Sequence, residues 1–180
     1  MAREIAVIPH DPVWKALYEQ EEALLRRIFD GLLIDIQHFG STSIPGMPSK
    51  PIIDILITVP DIQAVDACDG LMIQNRYLPK GENGIAGRRY FVKFKDDGEN
   101  HSHHVHIYEP GNPHVADELL FRDFVSMDQA AFEAYAKVKL EAAQAHRFSP
   151  PAYTDAKTEC VRRIMERARK QRDALASRPT

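Results

Sequence analysis

Asp54 lies inside PIIDILITV, a run of apolar residues with the composition of a strand buried on both faces. An ionised carboxylate in such a place is unfavourable unless it is paired with a cation, hydrogen-bonded or bound to a metal ion. Lys50 and Arg89 are candidate ion-pair partners, and a divalent cation is the alternative with chemical consequences. Mg²⁺ favours one or two carboxylates together with phosphate oxygens. Asp54 is therefore a candidate metal ligand and catalytic residue, or one half of a buried ion pair.

A turn rich in hydrogen-bond donors comes shortly before Asp54, in the stretch HFGSTSIPGMPSK. Gly40 leaves backbone N–H groups open to approach, and Ser41 and Thr42 add hydroxyl donors, which phosphate oxygens require. The spacing matches neither the P-loop nor the dinucleotide-binding glycine pattern. A turn with no binding role is the alternative. Together with Asp54, the turn predicts a metal and nucleotide site in which Gly40, Ser41 and Thr42 bind phosphate.

Histidines are concentrated in HSHHVHIY, residues 101–108. His104 and His106 share one face of a strand if the two intervening apolar residues point into the core. Two imidazoles and the carboxylate of Asp54 form a chemically sensible site for Zn²⁺ or Mn²⁺, with His106 as a candidate catalytic residue. The alternative is that these histidines only form hydrogen bonds. His101 and His103 are assigned to a turn.

Basic residues that could neutralise phosphate charge are the remaining site candidates. They are Lys50, which follows the donor-rich turn, Arg89 on the polar face of a predicted strand, and Lys157 one helical turn after Tyr153. Arginine offers a bidentate fork to phosphate, and lysine a mobile point charge. An ion pair at the surface is the alternative for Arg89 and Lys157.

Hydrophobic periodicity predicts the elements that must position these residues. Helices are expected at 11–29, 61–77, 114–147 with a break near Ser126, and 154–176, and strands at 32–39, 51–59, 88–94 and 101–108, the last two as a hairpin. The order α-β-β-α-β-β-α-α favours an α/β (α+β) fold with a mixed sheet, helices mainly on one face, and C-terminal helices. We expect one domain over 1–180, with a core at 11–110 and C-terminal helices at 113–176.

The overall composition is that of an ordinary soluble protein, with 180 residues, 44% of them hydrophobic and 27% charged, and a net charge of -3. The charge gives no strong nucleic-acid signal, and no apolar run is long enough to cross a bilayer. Cys68 and Cys160 lie far apart, as in proteins of a reducing compartment. We therefore expect a cytoplasmic location, no membrane partner, and a nucleotide or phosphorylated small molecule as ligand.

Several of these motifs resemble the GrpB family, a group assigned by fold to the nucleotidyltransferase superfamily. The resemblance rests on HFGSTSIPGMPSKPIIDILITV, HHVHIYEPG, LLFRDF, YAKVKLEAA and YTDAK, and covers nearly the whole chain. It implies a nucleotidyltransferase-like fold in which Gly40 and Ser41 match the nucleotide-phosphate turn and Asp54 matches a metal carboxylate. It also implies a nucleoside triphosphate and a divalent metal, Mg²⁺ or Mn²⁺ with Zn²⁺ as an alternative.

The sequence departs from the superfamily pattern around Asp54. The neighbouring positions on the same face of the strand are Ile52 and Leu56, so the expected second carboxylate is missing, and the later strand offers His104 and His106 instead of an acid. A two-metal site needs several carboxylates to hold its ions. Three interpretations stay open: a metal-dependent nucleotidyltransferase, a non-catalytic nucleotide- or phosphate-binding accessory module, and a metal-dependent hydrolase built on Asp54, His104 and His106.

Overall fold

The computed structural model describes residues 4–177, so the first and last three residues of the expected 1–180 domain lie outside the described part. Five strands form one sheet in the order β1-β2-β5-β4-β3. Their bounds are Asp35–Phe39, Ile53–Thr58, Tyr77–Pro79, Arg89–Phe94 and His101–Tyr108 for β1 to β5. Strands β2 and β5 pair in parallel and the other neighbours are antiparallel. The expected mixed sheet and the β4–β5 hairpin are confirmed, and β3 is a short strand that the periodicity did not reveal.

Within the described part of the chain, five α-helices surround the sheet: Val13–Ile28, Asp69–Gln74, Pro113–Met127, Gln129–Ala145 and Pro150–Ala176, named α1 to α5. The helix expected at 61–77 is a 3-10 segment, Gln63–Cys68, followed by the short α2. The helix expected at 114–147 is divided into α3 and α4 by extended backbone at Asp128, whose side chain accepts a hydrogen bond from the backbone N–H of Ala131. An aspartate in this N-cap position starts a new helix, which places the break two residues after Ser126.

One face of the sheet is buried under α1 and α2. Ile53, Ile55 and Ile57 of β2 point to this face and are at most 1% exposed. They share a core with Trp14 and Leu25 of α1. Because side chains alternate along a strand, this apolar face turns Asp54 towards the opposite side of the sheet.

The opposite face meets the C-terminal helices. Phe39, Leu56 and Tyr108 pack there against Val115 and Leu119 of α3. Helices α3, α4 and α5 form a second core of their own with residues that follow the donor-rich turn. Helices therefore contact both faces of the sheet. The C-terminal helices enclose the polar part of the sheet that carries Asp54.

None of the helices among residues 4–177 combines the length and the apolar composition needed to cross a membrane.

Candidate metal and phosphate site

The parallel pairing of β2 and β5 brings the carboxylate and the histidines together. Asp54 is the register partner of His104, and Leu56 is the partner of His106, so the three polar side chains share one face. One ligand atom from each of Asp54, His104 and His106 lies within 4.8 Å of the others. Nδ1 of His104 is 3.2 Å from Oδ1 of Asp54. The arrangement is a cluster of one carboxylate and two imidazoles.

His104 has a partner at each ring nitrogen. Its Nε2 is 2.8 Å from Nδ1 of His101, on the side away from Asp54. The two histidines assigned to a turn, His101 and His103, instead lie in β5. His103 points to the other face, where it is buried and 3.8 Å from a carboxylate oxygen of Glu21. A metal-binding histidine usually holds its second ring nitrogen in such an outer hydrogen bond, so His101 would position His104 when a metal is bound.

The ionisation of the cluster suits a cation. Burial would raise the pKa of Asp54, but the hydrogen bond and charge of His104 outweigh it and lower that pKa. Burial lowers the pKa of His106 to about 4. Asp54 is therefore ionised and His106 neutral near pH 7, which are the forms that bind metals. A donor set of two imidazoles and one carboxylate fits Mn²⁺, Fe²⁺ or Zn²⁺ better than Mg²⁺, which prefers oxygen ligands.

The donor-rich turn packs directly onto Asp54. It follows β1 as a 3-10 turn, Ser41–Ser43, entered through Gly40 at a φ of 67°. A Cβ atom at Gly40 would lie 2.5 Å from Oδ2 of Asp54. Glycine is therefore required here both for its positive φ and for the close approach of the backbone to the carboxylate. The turn and the aspartate, which the sequence presented as separate motifs, are one structural unit.

The hydroxyl groups of the turn differ in availability. Thr42 is buried, its hydroxyl donates to the backbone carbonyl of Ile52 at 3.2 Å, and Nε2 of His38 lies 3.0 Å away. This hydroxyl is occupied within the fold, so it is less available to a phosphate than the hydroxyl of Ser41. The Ser41 hydroxyl is 3.4 Å from the hydroxyl of Tyr135 at the wall of a cavity. Ser41 therefore faces the cavity, and its phosphate-binding role stays a prediction.

One cavity of about 440 Å³ joins these features. The residues predicted from the sequence that line it are Gly40, Ser41, Thr42, Lys50, Asp54, His104, His106 and Lys157. Arg89 is the exception, because its guanidinium forms a two-pronged ion pair with Asp66 outside the cavity, at 2.5 and 2.9 Å. The expectation that Arg89 binds phosphate is corrected by this placement. Strand alternation explains it, since Arg89 lies on the sheet face opposite Tyr90 and His106.

Sequence reasoning missed several residues on the cavity wall. Arg88 is 5% exposed and is held by the backbone carbonyls of Glu82 and Asn83, with one guanidinium nitrogen 3.5 Å from Nδ1 of His106. Arg88 could have been predicted from the sequence, because it precedes Tyr90 by two residues and therefore lies on the same face of the strand. Glu118 brings a second carboxylate to the cavity from α3. No local pattern identifies Glu118, since it arrives from a distant helix.

Lys139 is the most unusual of the missed residues. It is 2% exposed, and its Nζ donates to the hydroxyl of Ser49 at 3.1 Å. Burial, followed by the positive charges of Lys157 and Lys50, lowers the pKa of Lys139 to about 6. Burial and Lys50 lower the pKa of Lys157 to about 8. The sequence hides this group because Lys139 resembles any lysine on an amphipathic helix.

The carboxylate and imidazole cluster, the glycine turn and the buried lysines therefore lie around one cavity. The family model described as GrpB protein matches residues 4–167. The chain belongs to the GrpB family.

Relatives agree with this assignment. The chain is 42% identical to the UPF0157 protein YqkA of Bacillus subtilis over 168 residues, which are 93% of this chain and 48% of YqkA. It therefore spans about half the length of that relative. The crystal structure of the conserved protein GrpB from Enterococcus faecalis is similar with a TM-score of 0.86 and 33% identity, covering 92% of this chain and 98% of that one. A further relative, the dephospho-CoA kinase of Mycolicibacterium paratuberculosis, is 27% identical over 97% of this chain and 48% of its own.

Proposed function

We propose that this chain is a metal-dependent nucleotidyltransferase, which transfers a nucleotidyl group from a nucleoside triphosphate to a hydroxyl or phosphate of an acceptor. The observation that carries the proposal is the single cavity of about 440 Å³ in which the Asp54, His104 and His106 cluster faces buried lysines. Cation ligands on one wall and fixed positive charge on the other are what a bound polyphosphate requires.

Each group has a role in this proposal. Asp54, His104 and His106 would hold one divalent ion, which when bound polarises phosphoryl oxygens and offsets negative charge. The backbone of Gly40 and the hydroxyl of Ser41 orient the phosphates beside Asp54. This orientation contributes more to the rate than any single contact, because transfer depends on the alignment of the reacting groups. Arg88 and Lys50 add positive charge to the same cavity. Glu118 would supply the second carboxylate that the strand itself lacks, and would accept a proton from an acceptor hydroxyl.

A nucleotide-binding accessory module is the second candidate. It is favoured by Ile52 and Leu56, which occupy the positions beside Asp54 where a second strand carboxylate would complete a two-metal site. It is also favoured by the relative whose name is dephospho-CoA kinase, of which this chain matches 48%. In this case the cavity would bind a nucleotide or a phosphorylated small molecule without turning it over.

A labelling experiment separates these candidates. The protein is incubated with Mn²⁺, a nucleoside triphosphate labelled at the α-phosphate, and a small-molecule metabolite extract as the source of acceptors. Nucleotidyl transfer predicts label in a new species with release of pyrophosphate, and both are lost in Asp54→Asn. Arg89→Ala is the matched control, because Arg89 lies outside the cavity, and it should behave as wild type. Binding of the nucleotide without a labelled product would favour the accessory module, and absence of binding would contradict both.

A further inference from the structure

Three lysines from three segments of the chain meet at one end of the cavity. Lys50 follows the glycine turn, Lys139 lies in α4, and Lys157 lies in α5. The Nζ atoms of Lys50 and Lys157 lie 5.2 and 4.2 Å from the ring centroid of the same residue, Tyr153. Nζ of Lys139 lies 5.0 Å from the ring of Tyr135. The aromatic faces hold the ammonium groups in place and weakly compensate their charge.

Two of the three lysines, Lys139 and Lys157, are buried or half-buried without a carboxylate in ion-pair contact within the described part of the chain. Neither Lys139 nor Lys157 takes part in the ion pairs found among residues 4–177. The negative charge of Asp54 raises the pKa of both Lys139 and Lys157, whereas the positive charge of Lys50 lowers both pKa values. A buried ammonium group without a carboxylate partner is unfavourable and tends to lose its proton, whereas a bound anion can supply the missing charge. The group is thus suited to an anion with more than one negative charge.

We propose that Lys50, Lys139 and Lys157 bind two consecutive phosphate groups, the diphosphate end of the nucleoside triphosphate. This inference rests on the proposed function for the identity of the ligand, but the anion site itself does not require catalysis. A single phosphate carries about two charges near neutral pH, whereas three ammonium groups match the larger charge of a diphosphate. Inorganic pyrophosphate is then a ligand of this site, because it is the part of the triphosphate that the lysines contact.

Binding at this site is coupled to protonation. Lys139 is surrounded by Lys50, Lys157, Tyr135 and the more distant Asp54, and the repulsion between lysines is part of what lowers its pKa to about 6. The negative charge of a bound anion offsets this repulsion and raises the pKa of Lys139, so Lys139 takes up a proton when pyrophosphate binds at pH 7.5. Affinity should accordingly rise as the pH is lowered from 9 to 7. A site of ordinary exposed lysines, already protonated, would take up no proton.

The test is calorimetry of pyrophosphate binding in EDTA at pH 7.5, in two buffers with different ionisation enthalpies. We expect uptake approaching one proton per pyrophosphate, and binding at least tenfold tighter than for orthophosphate. Lys139→Met should abolish the uptake and weaken binding at least tenfold. Lys157→Met, at a less buried position, should weaken it without abolishing the uptake. Arg89→Ala is the control and should bind as wild type.

The outcomes distinguish this inference from the proposed function. Equal binding by wild type and Lys139→Met, or binding without proton uptake, would overturn the three-lysine site and leave metal-dependent nucleotide chemistry at Asp54 standing. Lysine-dependent pyrophosphate binding by a protein that transfers no label in the presence of Mn²⁺ would support the site while overturning the enzyme.

Discussion

Replacing Lys139 by Met should make the protein more stable. The substitution keeps the length of the side chain and removes an ammonium group that is 2% exposed. The pKa of Lys139 falls from 10.5 in the unfolded chain to about 6 in the folded protein. At pH 7.5 the unfolded chain therefore holds a proton that the folded protein lacks, and this lowers the free energy of unfolding by roughly 4 kcal/mol, from about three pKa units of 1.36 kcal/mol each. Loss of the hydrogen bond to Ser49 offsets roughly 1 kcal/mol of the gain.

The sign of the pH dependence follows from the same difference. The folded-state pKa lies below the unfolded value, so the contribution of Lys139 to wild-type stability becomes more unfavourable as the pH falls from 10.5 to 6 and is constant below that. The advantage of Lys139→Met is then about 3 kcal/mol at pH 7.5, larger at pH 6 and smaller at pH 9.5.

Urea denaturation at these three pH values measures the difference. Lys137→Met, on the same helix but at a position where the side chain is 75% exposed, is the matched control and should change stability by less than about 0.5 kcal/mol. A Lys139→Met protein no more stable than wild type at pH 7.5, or an advantage that does not shrink at pH 9.5, would refute the reasoning.

Three further predictions concern the metal cluster. Gly40→Ala should lower the free energy of unfolding by about 2–3 kcal/mol and weaken Mn²⁺ binding, because its Cβ would meet Asp54, whereas Gly31→Ala, at a similar positive φ with nothing within 4 Å, should lose only about 1 kcal/mol and bind Mn²⁺ normally. Equal effects in denaturation and calorimetry would mean that the contact with Asp54 is unimportant. His106→Ala should weaken Mn²⁺ binding by the same factor at pH 7.5 and 5.5, because the pKa of His106 is about 4, and an effect that disappears at pH 5.5 would show an ordinary imidazole near 6.5. His101→Ala should weaken Mn²⁺ binding roughly tenfold to a hundredfold with the fold unchanged, as for other outer hydrogen-bond partners of metal ligands, while unaltered affinity would assign it no positioning role.

Strand alternation made the centre of the site predictable. It placed Asp54 on the face opposite Ile53, Ile55 and Ile57, and His104 and His106 together on β5. The parallel register that joins them could not be read from one sequence, because pairing between distant strands depends on the whole sheet. The same alternation, applied to β4, separates Arg88 from Arg89, so the choice of Arg89 was an error of face and not of residue type.

The site residues that lie on helices were harder to predict from the sequence. Lys157 was identified as a candidate beside Tyr153, but Lys139 and Glu118 lie on helices whose orientation towards the cavity depends on packing among α3, α4 and α5. The division of α3 from α4 at Asp128 decides that orientation, and the periodicity placed the break only approximately, near Ser126. Burial of a lysine is a property of the assembled bundle, which hydrophobic periodicity within one helix does not report.

The most direct test of the central claim is a crystal structure with Mn²⁺ and a non-hydrolysable nucleoside triphosphate. The account predicts an anomalous Mn²⁺ peak at about 2.0–2.3 Å from Asp54, His104 and His106, with the terminal phosphates in contact with Lys139 and Lys157. An ion held elsewhere, or a triphosphate whose phosphates point away from the lysines, would contradict it.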